Sequence, residues 1–400
     1  MKIAMVSEHA SPLATLGGVD AGGQNVHVAA LATALGDAGH DVVVYTRRDD
    51  PCLAQRVDFA PGVQVCHLDA GPPTAIAKDD LFEFMPEFAR ELHHCLRAQG
   101  PDVIHSHFWM SGWASLRAAR WLGIPLVHTY HALGVTKRRH QGAMDTSPPM
   151  RCDAERELAR ACHHIIATSS EEVFELLRMD AEAPRLSVIP CGVDLAFFGA
   201  RTAPPQPGRV LVVSRLVERK GIATVIEALA AVPDAHLVVA GGPARAELPS
   251  DARAVRLRAI AHRAGVAERV EFVGGVDAAT VRDLYHSASV VACVPWYEPF
   301  GLVALEAMAS ARPVVASAVG GLVDTVIDGV TGVHVPPRDA DALAGALTRV
   351  LADPAHAAAL GSAGRHRAQQ RYEWATIARE TVAAYAVARG TWVRSKVSVG

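Results

Sequence analysis

No apolar run in this 400-residue chain approaches the roughly 20 residues needed to cross a bilayer, so an integral membrane protein is not expected. Charge of one sign is missing as well. Lys and Arg number 39 against 42 Asp and Glu, a net charge of −3, and this gives no electrostatic footing for nucleic acid. The seven cysteines, Cys52, Cys66, Cys95, Cys152, Cys162, Cys191 and Cys293, are odd in number and scattered. They show neither metal-ligand spacing nor a disulfide framework and are expected to be reduced, mostly buried thiols. The first fifteen residues carry one Lys and a short apolar run that reads as a strand, with no signal-peptide pattern; a cytoplasmic protein is expected. Short-period repeats and low-complexity tracts are lacking too.

What is present is enough apolar material for large cores: 50% hydrophobic and 20% charged residues in a length that suggests two domains. Short β-branched or apolar runs at 2–7, 41–46, 63–68, 103–106, 126–129, 164–168 and 186–189 alternate with helical patterns such as 24–37, which stops at Gly39. The alternation resumes at 209–214, 236–240, 270–273, 290–294, 313–316 and 332–335. This order predicts an α/β fold with two parallel, doubly wound sheets covered by helices on both faces. Between the halves, the stretch 199–208 is crowded with Gly and Pro and reads as a hinge. The expected organisation is a first domain at 1–198, the linker at 199–208, a second domain at 209–374 and a closing helix at 375–400.

Chemistry in such folds lies beyond the carboxyl ends of the strands. Pro295 to Glu306, PWYEPFGLVALE, places Glu298 in a loop and Glu306 about a turn inside a helix. Pro299 disfavours helix before it, Gly301 permits close approach of backbone to a ligand, and Leu302 opens a good helix former. The unpaired N–H groups there could carry a diphosphate, with one carboxylate for sugar hydroxyls and the other for ribose hydroxyls. Arg215 and Lys220 follow another strand, where two cations would neutralise charge growing on a departing diphosphate. Gly17, Gly18, Gly22 and Gly23 follow the first strand and offer backbone amides to a phosphate, although not in the GxGxxG spacing of a dinucleotide site. Taken singly, each of these motifs also fits an ordinary surface loop.

Taken in order along the chain, they resemble a family. The paired Glu298 and Glu306, the glycine loop of residues 17–24, His105-Ser106-His107, His131, Ser214-Arg215 with Lys220, and Gly320-Gly321 are similar to the motifs of retaining GT-B glycosyltransferases, known as glycosyltransferase family 4 or glycosyl transferases group 1. Within that family the loop and the HSHFWMSG segment resemble most the mycothiol-pathway enzymes that place N-acetylglucosamine on inositol phosphate, and more distantly sucrose-phosphate synthases. The resemblance implies a GT-B fold: two Rossmann-like domains, an interdomain cleft, and a last helix that returns to the first domain. It implies His131, Arg215, Lys220 and Glu298 as catalytic residues, His131 lying near the transferred sugar. Gly22, Gly23, Val273, Gly274, Phe300, Gly301, Leu302, Val303 and Glu306 join Arg215, Lys220 and Glu298 as donor-binding positions. Asn25, Lys78, Phe108, Ala132 and Arg151 occupy acceptor positions.

The implied reaction is glycosyl transfer with retention of configuration, from a nucleoside-diphosphate sugar to a hydroxyl of a small acceptor. The departing phosphate oxygen takes the acceptor's proton, so no protein nucleophile is required. No cofactor and no metal are expected; Asp339-Ala340-Asp341 resembles a DxD by letters but reads as a helix cap. A UDP-sugar is favoured and a GDP-sugar is kept open, because Val276 stands where the mycothiol enzymes have a base-stacking arginine. Phe108 and Ala132 replace a tyrosine and a threonine hydroxyl that those enzymes place on the inositol phosphate. Two lost donors would each cost about 1–3 kcal/mol on a buried phosphate, which points to a different polyol, sugar or pseudosugar held by Lys78 and Arg151. Two alternatives remain at this stage: a nucleotide-sugar epimerase or hydrolase on the same fold, and an NADP-dependent oxidoreductase using Arg47-Arg48. A homodimer is the open alternative to a monomer.

Overall fold

The computed structural model describes residues 1–14, 22–200 and 202–397, with side chains to residue 392. The chain divides into two compact units, Met1–Cys191 with Trp374–Gly400, and Gly192–Glu373. The Gly- and Pro-rich stretch at 199–208 belongs to the second unit. Val193 already bonds there, its N–H donating to the Tyr372 carbonyl at 2.8 Å, so the division by packing falls before the stretch itself.

The described residues of the first unit hold eight strands: β1 Lys2–Val6, β2 Asp41–Arg47, β3 Arg56–Ala60, β4 Val63–Leu68, β5 Val103–His107, β6 Leu126–Thr129, β7 His164–Ala167 and β8 Leu186–Val188. They run in the order β3-β4-β2-β1-β5-β6-β7-β8. Every pairing is parallel except β3 with β4. Sequence reading finds seven of these and misses β3, a short edge strand whose residues are half-exposed or exposed and carry no buried apolar face. The central strands are buried on both sides, with Val42, Val44 and Tyr45 at 0% exposure, and this explains their continuous apolar runs. On one face, the helix Met85–Gln99 buries Phe88, Leu92 and Leu96. On the other lie Val28, Leu31 and Leu35 of the helix Gly23–Asp37, with Ile377, Tyr385 and Ala388 of the closing helix Trp374–Val397.

The described residues of the second unit hold six strands, all recovered by the sequence pattern: β9 Arg209–Val213, β10 His236–Ala240, β11 Val270–Gly274, β12 Val290–Cys293, β13 Val314–Ser317 and β14 Val333–Val335. Their order is β11-β10-β9-β12-β13-β14, all parallel. Its core again has two faces, one around Val225, Leu229 and Leu347 and one around Tyr285, Leu305 and Met308. Asp339 caps the helix Ala340–Ala352, its carboxylate accepting the Ala342 N–H at 2.8 Å, so the DxD-like letters serve a helix start.

Among the parallel strands of each sheet the order reverses once, between β1 and β5 in the first unit and between β9 and β12 in the second. Chains leaving such neighbouring strands in opposite directions open a crevice beyond their carboxyl ends, where ligands of doubly wound sheets bind.

Candidate active site

At the reversal point of the second sheet, the loops after β9 and β12 are tied together. The Trp296 N–H donates to the Arg219 carbonyl at 2.8 Å, and Lys220 Nζ donates to Glu298 Oε2 at 2.5 Å. Glycines make this approach feasible. A Cβ on Gly221 would lie 2.0 Å from the Val294 carbonyl oxygen, and one on Gly320 would lie 2.1 Å from that of Glu298. Gly320 has φ +52°, and the Gly321 N–H donates to the Glu298 carbonyl at 2.8 Å. Gly301, at φ +77°, is the N-cap of the helix Leu302–Ala309. Its N–H also faces the Glu298 carboxylate and favours its charged form. The EPFG loop is therefore clamped from behind by backbone on both sides.

Electrostatics divides the two glutamates. Burial pushes Glu298 up, but Lys220, Arg219 and the Gly301 N–H together outweigh that and hold it below the usual carboxylate range. Glu306 meets no opposing cation among the described residues, and burial raises it from 4.5 to about 7 against the Tyr285 hydroxyl, which donates to its Oε2 at 2.7 Å. Phe300, Leu302 and Val303 are half-buried around the helix start, whereas Arg215 is exposed. Val273 and Gly274 end β11, and the Gly274 carbonyl accepts the Gly241 N–H at 2.8 Å. Gly241-Gly242, at φ +119° and +90°, pack against Ser214 and Leu216 beyond β10. Sequence reading passed over them, although a Gly-Gly-Pro following a predicted strand was available as a signal.

At the reversal point of the first sheet the chemistry is of another kind. His27, His105, His107, His128 and His131 are all buried to 4% exposure or less. His107 Nδ1 and His131 Nε2 share a hydrogen bond of 2.9 Å, while His105 bridges the Tyr385 hydroxyl at 2.8 Å and Thr129 Oγ1 at 2.9 Å. His27 contacts Cys191 Sγ at 3.1 Å and meets the Trp374 ring edge-on. Burial lowers every one of these histidines: His27 to about 4, His128 to about 3, and His105, His107 and His131 well below the ordinary range, the last three also through their neighbours. The cluster is thus neutral at physiological pH. His27, His107 and His131 each bring a ligand-type nitrogen within 4.8 Å of the others. The His107–His131 hydrogen bond occupies one nitrogen of each ring, which gives the cluster a use that requires no ion.

His131 has φ +62° and Phe108 φ +75°. Non-glycine residues held there are strained, and such strain collects at functional sites. Phe108 follows β5 as the N-cap of the helix Trp109–Leu122, and its ring lies 5.6 Å from Lys78 Nζ and 5.0 Å from Arg151 Cζ. The residues read as acceptor positions thus come together: Lys78, Phe108, Arg151, and Ala132, whose carbonyl accepts from Arg151 Nη2 at 2.6 Å. Arg151 is 2% exposed and is partly committed, with Nε on Glu155 at 2.7 Å and Nη1 on Ser147 at 3.2 Å. Asn25 acts locally. Its Oδ1 accepts the Gly22 N–H at 3.1 Å and its Nδ2 donates to the Ser11 carbonyl at 3.1 Å, fixing the start of the helix Gly23–Asp37. Gly22 is extended and exposed, Gly23 half-buried, and Gly17 and Gly18 lie outside the described residues.

The oxidoreductase reading does not survive this geometry. Arg47 is 5% exposed and donates to the carbonyls of Pro72 at 2.8 Å and Thr74 at 2.5 Å, while Arg48 pairs with Asp69 at 2.8 Å. Both are committed to the fold, not offered to a 2′-phosphate.

Comparison with known proteins decides the family. Residues 21–197 match the model for Glycosyltransferase Family 4, and residues 196–367 match that for Glycosyl transferases group 1. The chain is 37% identical to a D-inositol 3-phosphate glycosyltransferase of Kribbella flavida, across 98% of this chain and 96% of the relative. The chain belongs to this glycosyltransferase family. A second relative of the same name, from Streptomyces avermitilis, is 35% identical to this glycosyltransferase over 97% of its length and 88% of the relative's. Among solved structures, sucrose-phosphate synthase from Thermosynechococcus elongatus is 35% identical, covers 100% of both chains and superposes with a TM-score of 0.87. Anabaena HepE, solved in complex with UDP and glucose, shares the fold at 22% identity over 96% of this chain and 99% of its own, with a TM-score of 0.74. The glycosyltransferase thus has the GT-B fold, built from two parallel-sheet α/β domains. None of its described helices is long and apolar enough to cross a membrane.

Proposed function

We propose that this glycosyltransferase moves a hexose or N-acetylhexosamine from a UDP-sugar, with a GDP-sugar as the alternative donor, to a hydroxyl of a small polyol, sugar or pseudosugar, with retention and without a metal, in the cytoplasm. The observation that carries the reading is the Lys220–Glu298 contact at 2.5 Å beside the N–H of Gly301. A cation, a helix start and an ionised carboxylate held this close suit a substrate that carries phosphate charge at one end and hydroxyls at the other. Lys220, Arg215 and the first N–H groups of the helix Leu302–Ala309 take the diphosphate, and their attraction grows as the sugar–phosphate bond breaks. Glu298 binds the sugar hydroxyls and Glu306 those of the ribose. Val273 and Gly274 line the base, and Gly22 and Gly23 approach the phosphates.

His131, neutral and held by His107, hydrogen-bonds the transferred sugar. The acceptor lies against Lys78, Phe108, Ala132 and Arg151, near Asn25. Inositol phosphate fits it poorly: Phe108 has no hydroxyl, Ala132 has none, and part of Arg151 is already bound to Glu155. Melting temperatures with UDP, GDP and ADP, followed by mass spectrometry of products from UDP-sugars and candidate polyols, test the reading. UDP should give the largest rise. No rise with any nucleotide refutes the donor site, efficient use of D-inositol 3-phosphate refutes the acceptor assignment, and conversion of donor alone to an epimer returns the second alternative.

A further inference from the structure

The strands of the second sheet all run one way, so Lys220 and Glu298 follow the ends of β9 and β12, whereas Gly208, Ser289 and Pro313 stand directly before the starts of β9, β12 and β13. β9 is five residues long and sets these two levels roughly 17 Å apart. At the level of the strand starts, Gly208, Ser289 and Pro313 line a cavity of about 670 Å³, bounded on its other side by the helices Ala340–Ala352 and Pro354–Arg371. Among the described residues its lining includes Arg312, Arg365 and His286 and no Asp or Glu.

These three groups are engaged to different degrees. Arg312 donates through Nε to the Ser310 carbonyl at 3.1 Å and through Nη1 to that of Ala288 at 3.4 Å, two partners that fix the guanidinium but carry no charge to cancel it. Arg365 is half-buried against Gly199, where a Cβ would stand 3.0 Å from its Nη2, and it makes no hydrogen bond or ion pair with a described residue. His286 is 2% exposed, and neither ring nitrogen has a hydrogen-bond partner of good geometry among the described residues, although the Phe198 carbonyl approaches the ring. Burial first, then Arg312 and Arg282, hold this ring below its ordinary range against the Phe198 carbonyl and Asp283. It is neutral, with one N–H to give. A buried donor left unmatched costs stability unless a ligand or water supplies the bond.

We propose that this cavity is a second ligand site, for an organic phosphate: the phosphoryl group lies between Arg365 and Arg312 and accepts the His286 N–H, while the organic part rests on the apolar wall at Pro313 and Leu351. Two guanidiniums with no carboxylate beside them match a doubly charged oxyanion; a single carboxylate would leave one in excess, and a neutral sugar both. The volume is that of a small-molecule site. A strand length separates the cavity from the donor loops, so its ligand takes no part in sugar transfer. Pro205 and Pro207, from the Gly- and Pro-rich stretch at 199–208, form part of the wall, and an occupant would therefore fasten that stretch to the second unit.

The experiment is a calorimetric titration of the full chain with phenyl phosphate, with UDP present throughout at saturation, at a pH well above the second phosphate ionisation. Phenol is the uncharged control. The wild type should bind phenyl phosphate at one site and phenol not measurably. Arg365→Gln should weaken phenyl phosphate about tenfold or more, the worth of one charge-assisted hydrogen bond, and His286→Phe about tenfold. Kinetic constants for sugar transfer without phenyl phosphate should be the same in Arg365→Gln as in the wild type. Lys78→Ala, which alters a cation of the first unit, should bind phenyl phosphate as the wild type does. Absence of binding to the wild type overturns the proposal, and so does an affinity that Arg365→Gln leaves unchanged. A loss in Lys78→Ala as large as that in Arg365→Gln also overturns it, by moving the phosphate to the first unit. Should Arg365→Gln not fold, Ser362→Glu decides: Ser362 is exposed, lines the same cavity and lies one turn before Arg365, so a carboxylate there should weaken phenyl phosphate at least as much, and unchanged affinity refutes the site.

Discussion

In the second unit the residues assigned to the donor are organised by charge and by backbone: Lys220 meets Glu298 at 2.5 Å, and Gly221 and Gly320 let neighbouring loops press against the segment that carries it. In the first unit the residues assigned to the transferred sugar and the acceptor are organised by uncharged rings, with His107 on His131 and Phe108 between two cations. On the proposed assignment, the contrast follows from what each would hold. A diphosphate is bound by fixed positive potential, which needs pre-set donors and tolerates little motion. A carbohydrate is bound by hydroxyl partners and apolar faces, for which neutral imidazoles in a dry site suffice.

The sharpest break of this comparison is removal of the charges. Lys220→Ala and Glu298→Gln should each lower kcat by roughly a thousandfold, the scale reported for losing one transition-state donor, with melting temperatures near the wild-type value. The double variant should fall little further, because the two act on one bound substrate. Steady-state kinetics on the three variants checks this, and additive losses would separate the pair. Next in size is the glycine clamp. Gly320→Ala combines a Cβ 2.1 Å from the Glu298 carbonyl oxygen with φ +52°, ψ −138°, and should destabilise the fold by at least about 1–3 kcal/mol as well as abolish turnover. Gly22→Ala is the control: Gly22 is extended and nothing lies within 4 Å of its would-be Cβ, so melting should not change. A donor KM that nonetheless rises would mark close approach of the ligand.

How much was legible follows the same division. PWYEPFGLVALE is one contiguous segment whose Pro, Gly and helix former announce a loop-to-helix junction, so the surroundings of Glu298 could be read directly. Lys78, Phe108 and Arg151 lie far apart in sequence and converge only through folding; resemblance to a family, not periodicity, brought them together on the page. Tyr285 was missed because it is the partner of Glu306 from a different helix, with no spacing to recognise in the sequence. Glycines were legible as turn formers, but which backbone each admits, such as Val294 behind Gly221, was not.

A smaller effect sharpens the neutral half. His107→Leu removes the hydrogen bond to His131 without changing the charge of the cluster, so kcat should fall about ten- to a hundredfold, in the range of a lost positioned group, while UDP affinity is kept. A chelator should leave the wild-type melting temperature and turnover unchanged. A drop in either would assign the nitrogens of His27, His107 and His131 to an ion in place of this hydrogen bond.

The mildest prediction concerns pH, and it tests the charged half against itself. Glu306 is raised from 4.5 to about 7 by burial, with the Tyr285 hydroxyl opposing. Between those values the folded chain binds the proton and the unfolded chain does not, so this group's contribution to stability is full below 4.5 and is lost as pH climbs to about 7. On the proposed role, accepting ribose hydroxyls requires the ionised form of Glu306, so nucleotide binding should release a proton below about 7 and none above it. The rise in melting temperature with UDP should therefore shrink as pH falls through 7, about tenfold in affinity per pH unit at the steepest. Glu306→Gln should flatten this dependence and also make the nucleotide-free protein relatively more stable above pH 7. Tyr285→Phe, by deleting the hydrogen bond that favours the carboxylate, should move the midpoint upward without abolishing it. Glu298, held below the usual range by Lys220, should give no such step between pH 5 and 8, so a residual step in Glu306→Gln would mean that the two glutamates do not divide their work as charge and burial indicate.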